Sequence, residues 1–88
     1  MEFFGRVKEI GNVKTGKSPK GTWTKQTVVI ESFDNPNNII AIDAMNERTV
    51  EVQKVAIGTA VKATFSVNSH RSEKGYFTSI TLWELFKL

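Results

Sequence analysis

The chain has 88 residues, 12 Lys+Arg against 9 Asp+Glu, a net charge of +3, no cysteine and one histidine. That length suits one domain with a small core. The lack of cysteine excludes disulfides and thiolate metal sites, and His70 alone cannot build a histidine cluster, so neither metal nor cofactor is expected.

No apolar run approaches the roughly 20 residues of a membrane span. The N-terminus has neither the basic start nor the apolar centre of a signal peptide, so the expected compartment is the cytoplasm. Charge is unevenly spread. Residues 1–30 carry Arg6, Lys8, Lys14, Lys17, Lys20 and Lys25 against Glu2 and Glu9. Residues 31–60 are net acidic and residues 61–88 net basic again. One basic surface with a polyanion as its partner fits such asymmetry, and so does chance in a small domain.

Glu2–Val13 reads as a long first strand. Its apolar residues (Phe3, Phe4, Val7, Ile10, Val13) do not hold period two, and Gly5 and Gly11 mark a bulge or bend. Lys14–Gly21 reads as a polar loop punctuated by Gly, Ser and Pro. It lacks the spacing of a phosphate-binding P-loop. Thr22–Phe33 is the second strand. Val28 and Ile30 suit a core, with Thr24 and Gln26 on their face; Trp23, Lys25, Thr27, Val29 and Glu31 share the other. Asp34–Asn38 is a turn. Ile39–Ala44 is a third strand, with Ile40 and Ile42 on one face and Ile39 and Asp43 on the other. Asn46–Lys54 is the one plausible helix, of a turn or two, with Asn46 as N-cap, Glu47 at the positive end of the dipole and Val50 facing inward.

Thr59–Asn68 alternates cleanly, with Val61, Ala63, Phe65 and Val67 on one face. Ser69–Gly75 reads as a second basic loop. Tyr76–Phe86 is the last strand. Ile80 and Leu82 share a face with Tyr76 and Thr78, and Phe77, Thr81 and Trp83 share the other. Large apolar groups on both faces predict a strand covered on both sides or lying in a subunit contact, with Trp83 in one of those places. A homodimer or homotetramer is therefore expected.

Five strands, a helix between the third and fourth, and no internal repeat predict an all-β, five-stranded OB-fold. Ligands of that fold lie across strands two and three, between the loops joining strands one to two and four to five. Those loops are here the two most basic in the chain, Lys14–Gly21 and Ser69–Gly75. An aromatic ring beside cations on an open sheet suits base stacking and phosphate pairing. Trp23 fits that role; it also fits a half-buried core residue beside lysines that serve solubility.

The run Gly21-Thr22-Trp23-Thr24-Lys25-Gln26, the ending Gly75-Tyr76-Phe77-Thr78-Ser79-Ile80 with Trp83, and Phe65-Ser66-Val67-Asn68-Ser69-His70-Arg71 resemble a family of short bacterial and phage proteins. That family is catalogued as a domain of unknown function and is similar to bacterial single-stranded-DNA-binding proteins. The resemblance covers nearly the whole chain. It implies an OB-fold, single-strand binding in replication, recombination or repair, and roles for Trp23, Lys25, Arg71, Tyr76 and Phe77. The sequence departs from the replicative proteins in ending Trp83-Glu84-Leu85-Phe86-Lys87-Leu88, with no acidic, glycine-rich tail, and so resembles a tail-less binder. The middle segment Ala44–Ile57 is less family-like.

The expected ligand is single-stranded DNA, with RNA as the related option and little sequence specificity. Trp23 would stack on a base, and Tyr76 or Phe77, neighbours on one strand, would supply a second platform. Lys14, Lys17, Lys20, Lys25, Arg71 and Lys74 would contact phosphates. No carboxylate pair or activated nucleophile suggests an enzyme, and no small-molecule substrate is indicated. Asp43 and Glu47 read as a solvated charge and a helix-end charge, and His70 as a solvated loop residue. The competing class is an OB-fold protein–protein module with Trp23 as its anchor.

Overall fold

Alternation along β3 (Gly21–Ser32) sets the inside and outside of the molecule. In the computed structural model, which describes residues 1–88, Gln26, Val28 and Ile30 are buried. Trp23, Lys25, Thr27 and Val29 are half-buried on the opposite face. The other strands are β1 (Glu2–Ile10), β2 (Lys14–Ser18), β4 (Ile39–Met45), β5 (Ala60–Ser72) and β6 (Gly75–Lys87). A 3-10 turn at Asn46–Arg48 leads into α1 (Thr49–Gln53). No helix is long and apolar enough to cross a membrane.

Antiparallel pairs join β1 to β3, β3 to β4, β1 to β5 and β5 to β6. A parallel bridge, Asp43↔Thr81, joins β4 to β6 and completes a ring of five strands. β2 lies outside the ring, paired only to β3. Inside are Val7, Val28, Ile30, Ile42, Ala44, Val61, Ala63, Phe65, Leu82 and Leu85, with Val52 of α1 and the following Val55. Burial of these side chains is the main favourable term for so small a domain.

The ring closes because β1 is shared. Gly5 pairs with Ser32 of β3 and Val61 of β5. A Cβ at Gly5 would sit 2.7 Å from the carbonyl carbon of Glu31 and collide with its oxygen. Only glycine allows the strands to come so close.

Two single-residue bulges resolve the irregular apolar spacing. In β1 the register shifts between Val7 and Glu9, so Val7 and Ile10 both turn inward. The irregularity is at Lys8, not at either glycine. In β6 the register shifts at Trp83, so Leu82 and Leu85 both face the core. The extra residue switches the phase of a strand that would otherwise alternate. Much of the two-faced character of the last strand therefore arises within one chain. Trp83 itself is 52% exposed and outside the core.

Both expected basic loops are largely strand. Lys14–Ser18 forms β2, and β5 and β6 run to Ser72 and from Gly75. These hairpin arms extend beyond the core and bury little, so they lack the apolar alternation that marks a strand in sequence. The turn at Asp34–Asn38 forms as expected, with the Asn37 N–H donating to Asn35 Oδ1 (2.9 Å) and the Asn38 N–H to the Asn35 carbonyl (2.9 Å).

The helix differs from expectation at its start. Asn46 adopts a left-handed conformation (φ 52°), and its Oδ1 accepts from the Thr24 N–H (3.0 Å) and caps nothing. Thr49 and Val52 face inward, while Val50 is 53% exposed. Glu51 fastens α1 to β6, its Oε1 accepting from the Leu85 N–H (3.2 Å).

Candidate nucleic-acid interface

The outward side chains of β3, β4, β6 and β5 form one continuous face. Thr27 is opposite Asp43, Asp43 opposite Thr81, and Thr81 opposite Ser66, a polar row across four strands. The Thr27 hydroxyl donates to Asp43 Oδ1 (2.7 Å). Lys25 Nζ lies 3.9 Å from Asp43 Oδ2. These contacts fix Lys25, Thr27 and Asp43 on the same side, and alternation adds Trp23 at one end and Ser79 and Phe77 at the other.

The strand directions place Trp23 and Phe77 at opposite ends of this face. From the Thr27–Asp43–Thr81 row, β3 runs back four residues to Trp23. β6 runs back four to Phe77, in the opposite direction, because β6 is parallel to β4 and β4 is antiparallel to β3. At 3.3 Å per residue and 4.8 Å between strands, a flat sheet would put these two backbone positions about 28 Å apart on a diagonal.

The two ends are built alike. Each hairpin closes with Ser-x-Lys-Gly, as Ser18-Pro19-Lys20-Gly21 and Ser72-Glu73-Lys74-Gly75. In both turns the serine hydroxyl donates to the glycine carbonyl (3.2 Å) and accepts from the lysine N–H (3.3 Å). The closing glycines share a positive φ, 122° at Gly21 and 121° at Gly75, which a side chain would oppose. Two residues on, each arm carries its outward aromatic, Trp23 or Phe77. This short repeat is visible in the sequence only once the turns are aligned.

Trp23 lies over Gly16, its cross-strand partner. A Cβ at Gly16 would collide with indole Cζ2 and lie 2.5 Å from Cε2. The glycine lets the ring lie along the β2–β3 ribbon, edged by Lys14 and Lys25, which are themselves opposite each other. Like charges facing across a strand pair repel, and an anion between them relieves that cost. Phe77 is 53% exposed, with His70 across the strand pair and ring centroids 6.4 Å apart. His70 is thus a strand residue beside an aromatic.

Tyr76 and Phe77 part company. Tyr76 pairs with Arg71 on the opposite side of the hairpin, in phase with Ile80 and Leu82, and is 74% exposed. Lys17 likewise lies opposite Thr22 on the reverse side of its ribbon. Lys20 and Lys74 occupy the two turn tips. The predicted residues therefore divide: Trp23, Lys25, Lys14 and Phe77 share the continuous face, Lys20 and Lys74 tip its arms, and Arg71, Tyr76 and Lys17 lie behind.

Reading by residue type overlooked Asp43, Thr27, Thr81 and Ser66 as a group, because their adjacency depends on register. Trp83, expected in a core or a subunit contact, instead carries Arg48 over its ring, 5.1 Å from the centroid, with Arg48 donating to the Trp83 carbonyl (3.2 Å). Gln26 turns inward instead, its Nε2 donating to the Gly11 carbonyl (3.0 Å). The Gly11 N–H donates to the Thr27 carbonyl (2.8 Å), so Gln26 braces the exit of β1 against β3.

No group of three or more His, Cys, Asp or Glu side chains is arranged to hold a metal. A concave pocket of about 200 Å³, lined by Arg6, Glu31, Ser32, Phe33 and Pro36, lies at the far end of β3 from Trp23.

No curated protein and no solved structure shows a significant match to the chain. One family model does, and it spans residues 2–85, from the start of β1 through the inward Leu85 that follows the β6 bulge. All of the ring but the last two residues of β6, and both arms, therefore fall within the match, and the chain belongs to the family described as domain of unknown function DUF3127.

Proposed function

We propose that this chain is an OB-fold that binds single-stranded nucleic acid, DNA in the first instance, by stacking and phosphate contacts. The observation that carries the reading is the pairing of Trp23 and Phe77 at the two ends of one open sheet face, each on an arm tipped by a lysine. A strand laid along the diagonal would stack a base on each ring and run its phosphates past Lys14, Lys25, Lys20 and Lys74. A duplex would not, because its bases are already stacked and its edges face inward.

The order of strand pairing supports the OB-fold part of this reading. With β2 set aside as an extension of the β1–β3 connection, the ring runs first, second, third, fifth, fourth strand, with the helix between the third and fourth. Similarity to bacterial single-stranded-DNA-binding proteins belongs to the same proposal. Assembly into a homodimer or homotetramer is supported by the outer face of β1, β5 and β6. There Phe4 (47% exposed) and Phe86 (41%) flank Lys62 in one register row. Sedimentation that finds only monomer at micromolar concentration removes the assembly part.

The test is fluorescence-anisotropy titration of a labelled single strand at two salt concentrations, with duplex as control and Trp23→Ala alongside. Binding of single strand alone, weakened by salt and by the substitution, is the expected result. Loss of about 1–3 kcal/mol is expected for Trp23→Ala. Absence of binding at low salt refutes the proposal and favours the protein–protein module, whose apolar contact would be insensitive to salt.

A further inference from the structure

Asp43 is anomalous on a face meant for a polyanion. It stands at the centre of the outer face, between the Trp23 and Phe77 ends, and its side chain is 33% exposed. A carboxylate there repels phosphate, so its position needs another account. Its pairing with Lys25 is a poor one. At 3.9 Å between partly exposed groups the contact is longer than a hydrogen bond and contributes little. The short bond is from Thr27, whose hydroxyl donates to Oδ1 at 2.7 Å. That bond orients the carboxyl group and leaves acceptor capacity on both oxygens, Oδ2 above all.

A fixed carboxylate on a stacking surface accepts hydrogen bonds from base edges. The four bases differ in what they offer it. Guanine presents two adjacent donors, N1–H and the N2 amino group, which match the two oxygens. Thymine presents one N–H between two carbonyls. Cytosine and adenine each present an amino group beside a ring nitrogen acceptor that would face the second oxygen. Single-stranded bases are read on these edges once they are unstacked. On β6, Thr81 is the cross-strand neighbour of Asp43 and brings a hydroxyl, a donor that the guanine O6 can accept from, into the same row.

The geometry points to Asp43, oriented by Thr27, as a base-selecting residue that accepts from the Watson–Crick edge of a guanine held on this face. The inference rests on the single-strand reading above and adds a preference to a surface that otherwise ignores base identity. The phosphate path then follows the lysine-bearing flank at Lys14 and Lys25, and the base edges point across the row.

The test compares labelled oligothymidine with the same strand carrying two central deoxyguanosines, and with two deoxyinosines in their place. Inosine keeps N1–H and O6 and lacks the amino group. The expected result is roughly tenfold tighter binding of the guanine strand, lost with inosine. Asp43→Asn abolishes the guanine advantage and strengthens binding of plain oligothymidine, because a negative charge is removed. Thr27→Val, which keeps the shape and loses the hydroxyl, diminishes the advantage in part. Thermal unfolding of both variants reports whether each is folded. Equal binding of all three strands by the wild type overturns the inference and leaves single-strand binding standing. So does a guanine advantage that survives Asp43→Asn. Failure of every strand to bind overturns both readings together.

Discussion

Replacing Gly16 with alanine tests the proposed Trp23 platform separately from the fold that carries it. The new Cβ would meet indole atoms Cζ2, Cε2 and Cη2, at 2.5 Å from Cε2 and 3.0 Å from Cη2. An ordinary contact needs about an ångström more, so the ring must swing off the ribbon. The obstructed atoms are the far end of a side chain, and Gly16 is on β2, outside the ring, so stability should fall by no more than about 1 kcal/mol. Removing the ring entirely is expected to cost about 1–3 kcal/mol of binding. A displaced ring keeps part of that, so Gly16→Ala should weaken single-strand binding by about 1 kcal/mol, or roughly fivefold. The assay is anisotropy with a labelled strand, paired with tryptophan emission in a Trp83→Phe background so that only Trp23 reports. The expected emission shifts to the red as the indole gains solvent. A shifted emission with unchanged affinity would refute the platform role. An unchanged emission would refute the seating of the ring over Gly16.

Three further outcomes follow from the same geometry. Gly5→Ala forces a Cβ into the Glu31 carbonyl where the ring closes, and should cost about 3 kcal/mol in thermal or denaturant unfolding; a cost below about 1 kcal/mol would mean that β1 is not shared as described. The double variant Lys20→Ala/Lys74→Ala removes both turn-tip cations and should reduce the slope of log affinity against log salt by about 1.4; an unchanged slope would take the tips off the phosphate path. Glu51 is held below the ordinary 4.5 by its Lys54 partner (2.6 Å) and the Leu85 N–H, against the opposing effect of burial. A lowered folded-state value means that its contribution is present above about pH 4.5 and is lost as pH falls below it, so Glu51→Gln should show a shallower loss of melting temperature from pH 5 to pH 3 than wild type.

Much of the ring was legible because burial leaves a period in the sequence. Val28 and Ile30, Ile40 and Ile42, and Val61, Ala63 and Phe65 alternate against polar neighbours, and each set faces inward. The two bulges left a trace as well. Val7 with Ile10 and Leu82 with Leu85 are spaced by three within strands, which one extra residue converts into two inward positions. Without the pairing register that spacing reads as a bend or as a strand with two apolar faces.

The arms and the site were less legible. Lys14–Ser18 and the Ser69–Ser72 end of β5 are held by backbone pairing beyond the core, so no apolar alternation announces them. A lone strand carries no record of which neighbour lies beside it. The sequence by itself determined the inward side chains, the turn at Asp34–Asn38, and the choice of Trp23 and the lysines as candidates, because these depend on alternation, turn chemistry and residue type. Only the tertiary structure decided that Phe77 and not Tyr76 shares a face with Trp23, that the two arms lie at opposite ends, and that Asp43 stands between them. Those facts depend on one parallel bridge, Asp43↔Thr81, joining residues 38 positions apart, and pairing over such a distance is fixed by packing the whole core at once.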